Sequence, residues 1–143
     1  MKVSEIMTRD VETVSPGDTI RTAAKMMDEL NVGVLPVCDR QRLVGVITDR
    51  DITVRATSAG KAPDGCKVAE VMTAEVDWCL EDDAVDEAAE KMQTRQIRRL
   101  PVVDRNRRLV GVLSLGDIAT DAGRGAASET LKDVSQPSRP DRR

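Results

Sequence analysis

Apolar residues recur along this chain at two different periods, and the switch between them marks its elements. From Ile20 to Leu30 they fall three and four apart, at Ile20, Ala23, Ala24, Met27 and Leu30, which places them on one stripe of a helix. Ahead of that stripe Val11 to Val14 makes a short strand. Ser15-Pro16-Gly17-Asp18 then reads as an N-cap, a proline at the first helical position and a carboxylate at N3, so the helix is expected to open there. It should stop near Asn31, because Val32 to Cys38 is a β-branched run containing Gly33 and Pro36, which do not continue a helix. Asp39 to Arg42 is a polar turn, and Leu43 to Ile47 is a fully apolar strand. Thr48-Asp49-Arg50-Asp51 opens a second helix that reaches about Ser58. The order is β-α-β-β-α.

The same order then repeats. VSEIMTRDVETV at 3–14 runs parallel to VAEVMTAEVDWC at 68–79, an offset of 65 residues. Ala23, Ala24 and Met27 recur as Ala88, Ala89 and Met92 behind Val85, and LPVCDRQR at 35–42 recurs as LPVVDRNR at 100–107. One extra residue near Arg108 moves the offset to 66, and LVGVITDRDI at 43–52 then matches LVGVLSLGDI at 109–118. Two copies with so long a period should pack on each other as pseudo-symmetric partners. The expected organisation is a first repeat over 1–58, a linker over 59–67, a second repeat over 68–122 and a tail over 123–143. In the tail, Gly123-Arg124-Gly125 breaks the helix, 126–134 can form one short helix, and 135–143 has the composition of a disordered end.

Composition narrows the chemistry. The chain has 143 residues, 40% hydrophobic and 33% charged, with Trp78 as its sole aromatic residue, so the core must be aliphatic. A net charge of −3 lacks the basic surplus that a nucleic-acid backbone demands. No apolar run approaches the roughly 20 residues needed to span a bilayer, and the start MKVSEIM lacks a leader pattern. A cytoplasmic protein is the expectation. Histidine is absent, and Cys38, Cys66 and Cys79 have no C-x-x-C spacing. The usual zinc sites, the commonest general base and every Ser-His or Cys-His pair are therefore missing.

The paired LPV(C/V)DR-x-x-L-V-G-V-h-(T/S)-x-x-D-I blocks, each preceded by Met-Thr near the start of its copy, resemble the CBS (cystathionine β-synthase) domain over about residues 1–122. The resemblance implies an α/β (α+β) Bateman module: two β-α-β-β-α repeats packed through their sheets, binding adenine nucleotides in the clefts between them. It also implies a disc-like homodimer and a regulatory, non-enzymatic role, here without an attached enzyme or channel. The ligands it suggests are AMP, ADP, ATP or NAD(H), none of them an obligatory cofactor.

Thr48-Asp49-Arg50-Asp51 and Ser114-Leu115-Gly116-Asp117 each lie where an apolar strand turns into a helix. A capping box explains the hydroxyl and the carboxylate without any ligand. A ligand reading is compatible with it, since helix-start amides favour phosphate and a fixed carboxylate can accept ribose hydroxyls. By resemblance Thr48, Asp51, Ser114 and Asp117 contact ribose and phosphate. Gly33-Val34-Leu35-Pro36 and Arg98-Arg99-Leu100-Pro101 lead into prolines that cannot donate to a ladder, which is expected to leave irregular, accessible backbone for an adenine edge. In the family that backbone and the first strand frame the base, which brings in Thr13, Val14, Trp78 and Cys79; the alternative is that these four are core. Trp78 could stack on a base or fill an apolar seam. Arg50, Arg98 and Arg99 are candidates for phosphate. Gly33 aligns with Arg98 and Asp49-Arg50 with Leu115-Gly116, so the two sites differ in charge and at most one is expected to bind tightly.

Three other functions compete with an adenine-nucleotide sensor. One is a ligand-free dimeric assembly module that recruits a protein effector, which a closed apolar cleft would favour. The second is an enzyme, disfavoured by the missing histidine and by the lack of a P-loop or G-x-G-x-x-G. The third is a redox sensor at Cys38 and Cys79, which needs exposed, acidic thiols.

Overall fold

The computed structural model describes residues 1–121. The expected helix break at 123–125, the helix at 126–134 and the disordered end at 135–143 lie outside the described residues. Chain contacts divide the protein into two compact units. Of the described residues, the Asp51 unit holds Glu12–Val76, and the Asp117 unit holds Met1–Val11 together with the chain from Asp77 to Asp121.

In the Asp51 unit, α1 (Ile20–Leu30) packs on an antiparallel pair, β1 (Val34–Asp39) and β2 (Arg42–Thr48). A π-helix, Asp51–Thr57, follows β2, where an ordinary second helix was expected. The unit ends with the short α2, Val68–Val71. Three details depart from the sequence reading. Helix α1 opens at Ile20 with Thr19 as its cap, the Thr22 amide donating to the Thr19 hydroxyl at 3.2 Å. Ser15 and Asp18 instead close a separate turn, the Ser15 amide on the Asp18 carboxylate at 2.9 Å. The expected first strand shrinks to one parallel bridge, Val14 to Val37. Finally, Ala24 and Leu30 are exposed, and only Ile20, Ala23 and Met27 of the predicted stripe are buried. The stop at Asn31 is as read, a left-handed residue with φ 58° closing the helix.

The Asp117 unit has a three-stranded sheet in the order β3-β4-β5, with β3 (Cys79–Leu80) parallel to β4 (Arg99–Val103) and β4 antiparallel to β5 (Leu109–Ser114). Helix α3 (Val85–Arg95) buries its whole stripe of Val85, Ala88, Ala89 and Met92, and α4 (Leu115–Asp121) follows β5. The core is aliphatic, as the composition requires: Leu100, Val102, Leu113, Met92 and Ile118 are all fully enclosed.

Each unit is completed by a segment that the repeat pattern assigns to the other copy. Thr73 bridges β2, exchanging backbone bonds with Val46 at 2.8 and 2.9 Å, and Thr8 does the same with Val112 of β5 at 2.9 and 3.0 Å. These crossings need a glycine beneath them. A Cβ on Gly45 would sit 2.5 Å from the Thr73 carbonyl oxygen, and one on Gly111 would sit 2.7 Å from both Met7 Sδ and the Thr8 carbonyl oxygen. The Gly of each L-V-G-V block and the Met-Thr pair are therefore two halves of one contact.

The same crossings correct the reading of the prolines. Pro36 and Pro101 lie inside regular strands, opposite Val46 and Val112. Those valines turn their own N–H and C=O groups away, to Thr73 and Thr8, so the missing proline donor costs neither antiparallel ladder a bond. The backbone there is ordered strand and not irregular loop.

Candidate functional site

Both predicted helix starts form, with matching geometry. The Asp51 amide donates to the Thr48 hydroxyl at 2.9 Å, and the Thr48 amide returns to Asp51 Oδ2 at 3.0 Å. In the second copy the Asp117 amide donates to the Ser114 hydroxyl at 3.0 Å, and the Ser114 amide to Asp117 Oδ2 at 3.0 Å. Each reciprocal box satisfies two donors at a strand-to-helix junction and fixes the carboxylate. A backbone bond from the preceding strand entry closes each junction, Asp49 to the Gly33 carbonyl at 2.9 Å and Leu115 to the Arg98 carbonyl at 3.1 Å.

Two residues that sequence reasoning missed complete these places. The Thr73 hydroxyl lies 3.5 Å from Asp51 Oδ2, and the Thr8 hydroxyl lies 3.4 Å from both Asp117 oxygens. Their signal was present in the Met-Thr pair that opens each copy, but the partner carboxylates are 22 and 109 residues away.

The units diverge beyond that shared core. Asp51 faces Arg55 one turn on, Nε to Oδ1 at 3.6 Å, and the same guanidinium donates to the carbonyls of Val71 and Met72 at 3.3 Å each. Asp51 is only 7% exposed, whereas Asp117 is half-buried and has no ion pair among the described residues. Arg50 points into solvent, and its counterpart Gly116 is exposed and uncrowded.

The remaining candidates fall into three groups. Val14, Leu35, Pro36, Cys79 and Leu100 are buried. Val14 is locked by its amide on the Pro36 carbonyl at 3.1 Å and by the Cys38 amide on its own carbonyl at 2.9 Å. Thr13, Gly33, Val34, Arg98 and Pro101 are half-buried, and Arg99 is exposed, paired in register with Ser114. Trp78 is half-buried and lies against two cations: Arg107 Cζ is 5.1 Å and Lys91 Nζ 6.0 Å from the ring centroid, and Lys91 also donates to the Trp78 carbonyl at 2.8 Å. Cations this close are attracted to the ring face, which leaves Trp78 neither a bare stacking platform nor a purely apolar plug.

The thiol reading does not survive. Cys38, Cys66 and Cys79 are all buried. Burial raises the Cys38 thiol, and burial reinforced by the nearby charge of Asp83 pushes Cys79 up to about 12 against the opposing pull of Lys91. Such thiols are protonated and shielded at neutral pH. No helix among the described residues is long and apolar enough to cross a membrane.

The CBS domain model matches twice, over residues 3–56 and 68–122. The CBS domain-containing protein YhcV of Bacillus subtilis is 42% identical over 135 residues, covering 93% of this chain and 94% of its own length. The crystal structure of Hypoxic Response Protein I with two coordinated zinc ions superposes with a TM-score of 0.76 at 32% identity, over 86% of this chain and all of that one. The CBS domain pair of protein MJ0100, solved with 5'-methylthioadenosine and S-adenosyl-L-methionine, gives a TM-score of 0.69 at 35% identity, over 83% of this chain and 97% of that one. The chain belongs to the CBS domain family as a tandem pair, and stand-alone CBS pair proteins are generally regulatory.

Proposed function

We propose that this chain is a cytoplasmic, homodimeric sensor that binds an adenosine-containing ligand, an adenine nucleotide such as AMP, ADP, ATP or NAD(H), and answers by a change in packing. The observation that carries the reading is the pair of amide-anchored carboxylates at Asp51 and Asp117, each placed where a strand turns into a helix. A carboxylate held by its own cap cannot swing away, and it keeps lone pairs with which to accept a ribose diol. The MJ0100 pair, 35% identical, holds two adenosine-bearing molecules, and that supports the same ligand class here. A reducing compartment is supported by three unpaired cysteines.

Binding signals only through a difference in affinity between two packings. A thermal-shift screen of the full chain against AMP, ADP, ATP, NAD, NADH and S-adenosylmethionine tests the reading. At a hundredfold excess over its dissociation constant, a ligand of the folded state adds about 2.7 kcal/mol of stability. A melting temperature that rises with one of these six supports the sensor. An unmoved melting temperature with all six would turn the reading to a ligand-free assembly module.

A further inference from the structure

The second copy departs from the first at three positions that the fold brings to one place. At the offset of 65 residues Trp78 stands where the first copy has Thr13, and Lys91 where it has Met26. The third departure is the extra residue of the hairpin turn. The first copy turns tightly, with Asp39 paired to Arg42 and Arg40 left-handed at φ 63°. The second turns over 104–108 and puts Arg107 in that conformation, at φ 68°. Asp104 holds the longer turn: its Oδ1 accepts the Asn106 and Arg108 amides at 2.8 and 3.0 Å, and its carbonyl accepts the Arg107 amide at 3.0 Å. A left-handed arginine is uncommon. Here it lays the guanidinium on the indole, with Arg107 Cζ 5.1 Å and Lys91 Nζ 6.0 Å from the ring centroid.

Neither cation is balanced there. Among the described residues no carboxylate pairs with Arg107 or Lys91, and Asp77, beside the tryptophan in the chain, is engaged by Arg95 at 3.5 Å. Lys91 donates to the Trp78 carbonyl at 2.8 Å, while Arg107 Nε is enclosed without an acceptor. An enclosed donor left unpaired is costly. A carboxylate that draws the guanidinium outward replaces that cost with a charge-assisted bond. The place lies at the turn end of the β4–β5 hairpin; the Ser114–Asp117 box lies at the other end, where Arg99 pairs with Ser114.

The surroundings select the partner. Residues 91–108 hold seven cations against one carboxylate, Asp104. Arg105 and Arg108 are exposed in the same turn, and Arg95 is exposed one helical turn on from Lys91. Residues 81–90 hold six carboxylates and no cation, and they adjoin this patch, Asp82 Oδ2 lying 4.0 Å from Arg105 Nε. The cationic patch is therefore short. A phosphodiester strand would carry its charge on into those carboxylates, whereas a short acidic peptide ends with the patch. Tryptophan and arginine are also the residues that most often anchor protein interfaces. We infer that Trp78, Arg107 and Lys91 form a docking point for an acidic segment of a partner protein, with Arg95, Arg105 and Arg108 steering it in.

Trp78 is the sole aromatic residue, so its fluorescence reports on this place alone. The full chain is titrated with decaglutamate, decathymidylate and inorganic phosphate in turn. Decaglutamate should shift the emission saturably. Arg107→Gln and Lys91→Met, the second restoring the residue of the first copy, should each weaken its binding at least fivefold at an unchanged melting temperature. Lys25→Gln removes an exposed cation of the Asp51 unit and should leave binding within twofold. Emission unmoved by decaglutamate at millimolar concentration, or binding undiminished in folded Lys91→Met, would overturn the inference. Equal or tighter binding of decathymidylate or of phosphate would overturn it in favour of nucleic acid or a free oxyanion. None of the three probes carries adenosine, so each of these results leaves the adenosine reading standing.

Discussion

Asp51 and Asp117 stand in the same reciprocal box, within 0.1 Å in each bond, yet Asp51 faces Arg55 at 3.6 Å while Asp117 has no ion pair among the described residues. The helices in front of them differ in the same sense. Helix α3 buries both Ala88 and Ala89, whereas α1 buries Ala23 and leaves Ala24 exposed. Duplication has kept the box, the strand grammar and the crossing threonine above each carboxylate, and has let the charged neighbour one turn on differ. A box needs only a hydroxyl and a carboxylate three residues apart, so it persists whether or not the carboxylate is available to anything else.

The widest separation between the units is expected at the paired alanines. Ala89→Arg places an unpaired charge in the aliphatic core and should cost roughly 3 kcal/mol or more, while Ala24→Arg should stay within about 0.5 kcal/mol. Urea unfolding of the two variants reads the difference, and equal costs would erase the contrast between α1 and α3.

A smaller gap is expected under the crossing segments. Gly45→Ala drives a methyl into the Thr73 carbonyl at 2.5 Å and should cost about 3 kcal/mol; Gly111→Ala meets a bendable Met7 side chain along with the Thr8 carbonyl and should cost about 1–2 kcal/mol. Both costs are measured by the denaturant midpoint at constant slope. If the order reversed, the Met7-Thr8 crossing would be the more rigid of the two.

The carboxylates come next. Asp51→Asn strips the charge from a buried group that faces Arg55 and should lose about 1–3 kcal/mol, against under about 1 kcal/mol for the more exposed Asp117→Asn. Thermal melts without ligand separate them. The smallest effect concerns pH. With Cys79 raised from its ordinary 9.0 to about 12, the folded state holds that proton more tightly than the unfolded chain. Its contribution to stability is therefore complete below pH 9 and is lost as pH rises through 9 towards 12. A Cys79→Ser variant should show a flatter decline over that window than the wild type.

Much of this was legible in the sequence for a physical reason. The two later strands of the first copy, the turn at Asp39–Arg42, the stop at Asn31 and both capping boxes depend on residues within four of one another, and they form as read, whereas the strand expected at Val11 to Val14 is a single bridge. The misplaced start of α1 was a contest between two local caps: Ser15-Pro16-Gly17-Asp18 has the grammar of a helix start, but its side chains close a turn and Thr19 takes the cap. Pro36 and Pro101 were misjudged because strand position decides whether a proline matters, and the register that exempts them is set by Thr73 and Thr8. Those threonines, the cations around Trp78 and the hold of Arg55 on the Val71 and Met72 carbonyls are tertiary facts. No window of sequence contains them. The glycines of L-V-G-V were visible as a motif, but their purpose, room for a crossing backbone, appears only when Met-Thr is laid above them.

The most direct test follows backbone amide resonances of the full chain during titration with S-adenosylmethionine and, separately, with AMP and NADH. The account predicts shifts centred on the strand-to-helix junctions, Thr48 and Asp51 or Ser114 and Asp117, with at least one of them. Shifts confined to residues away from both junctions, or none with any of the three at millimolar ligand, would contradict it.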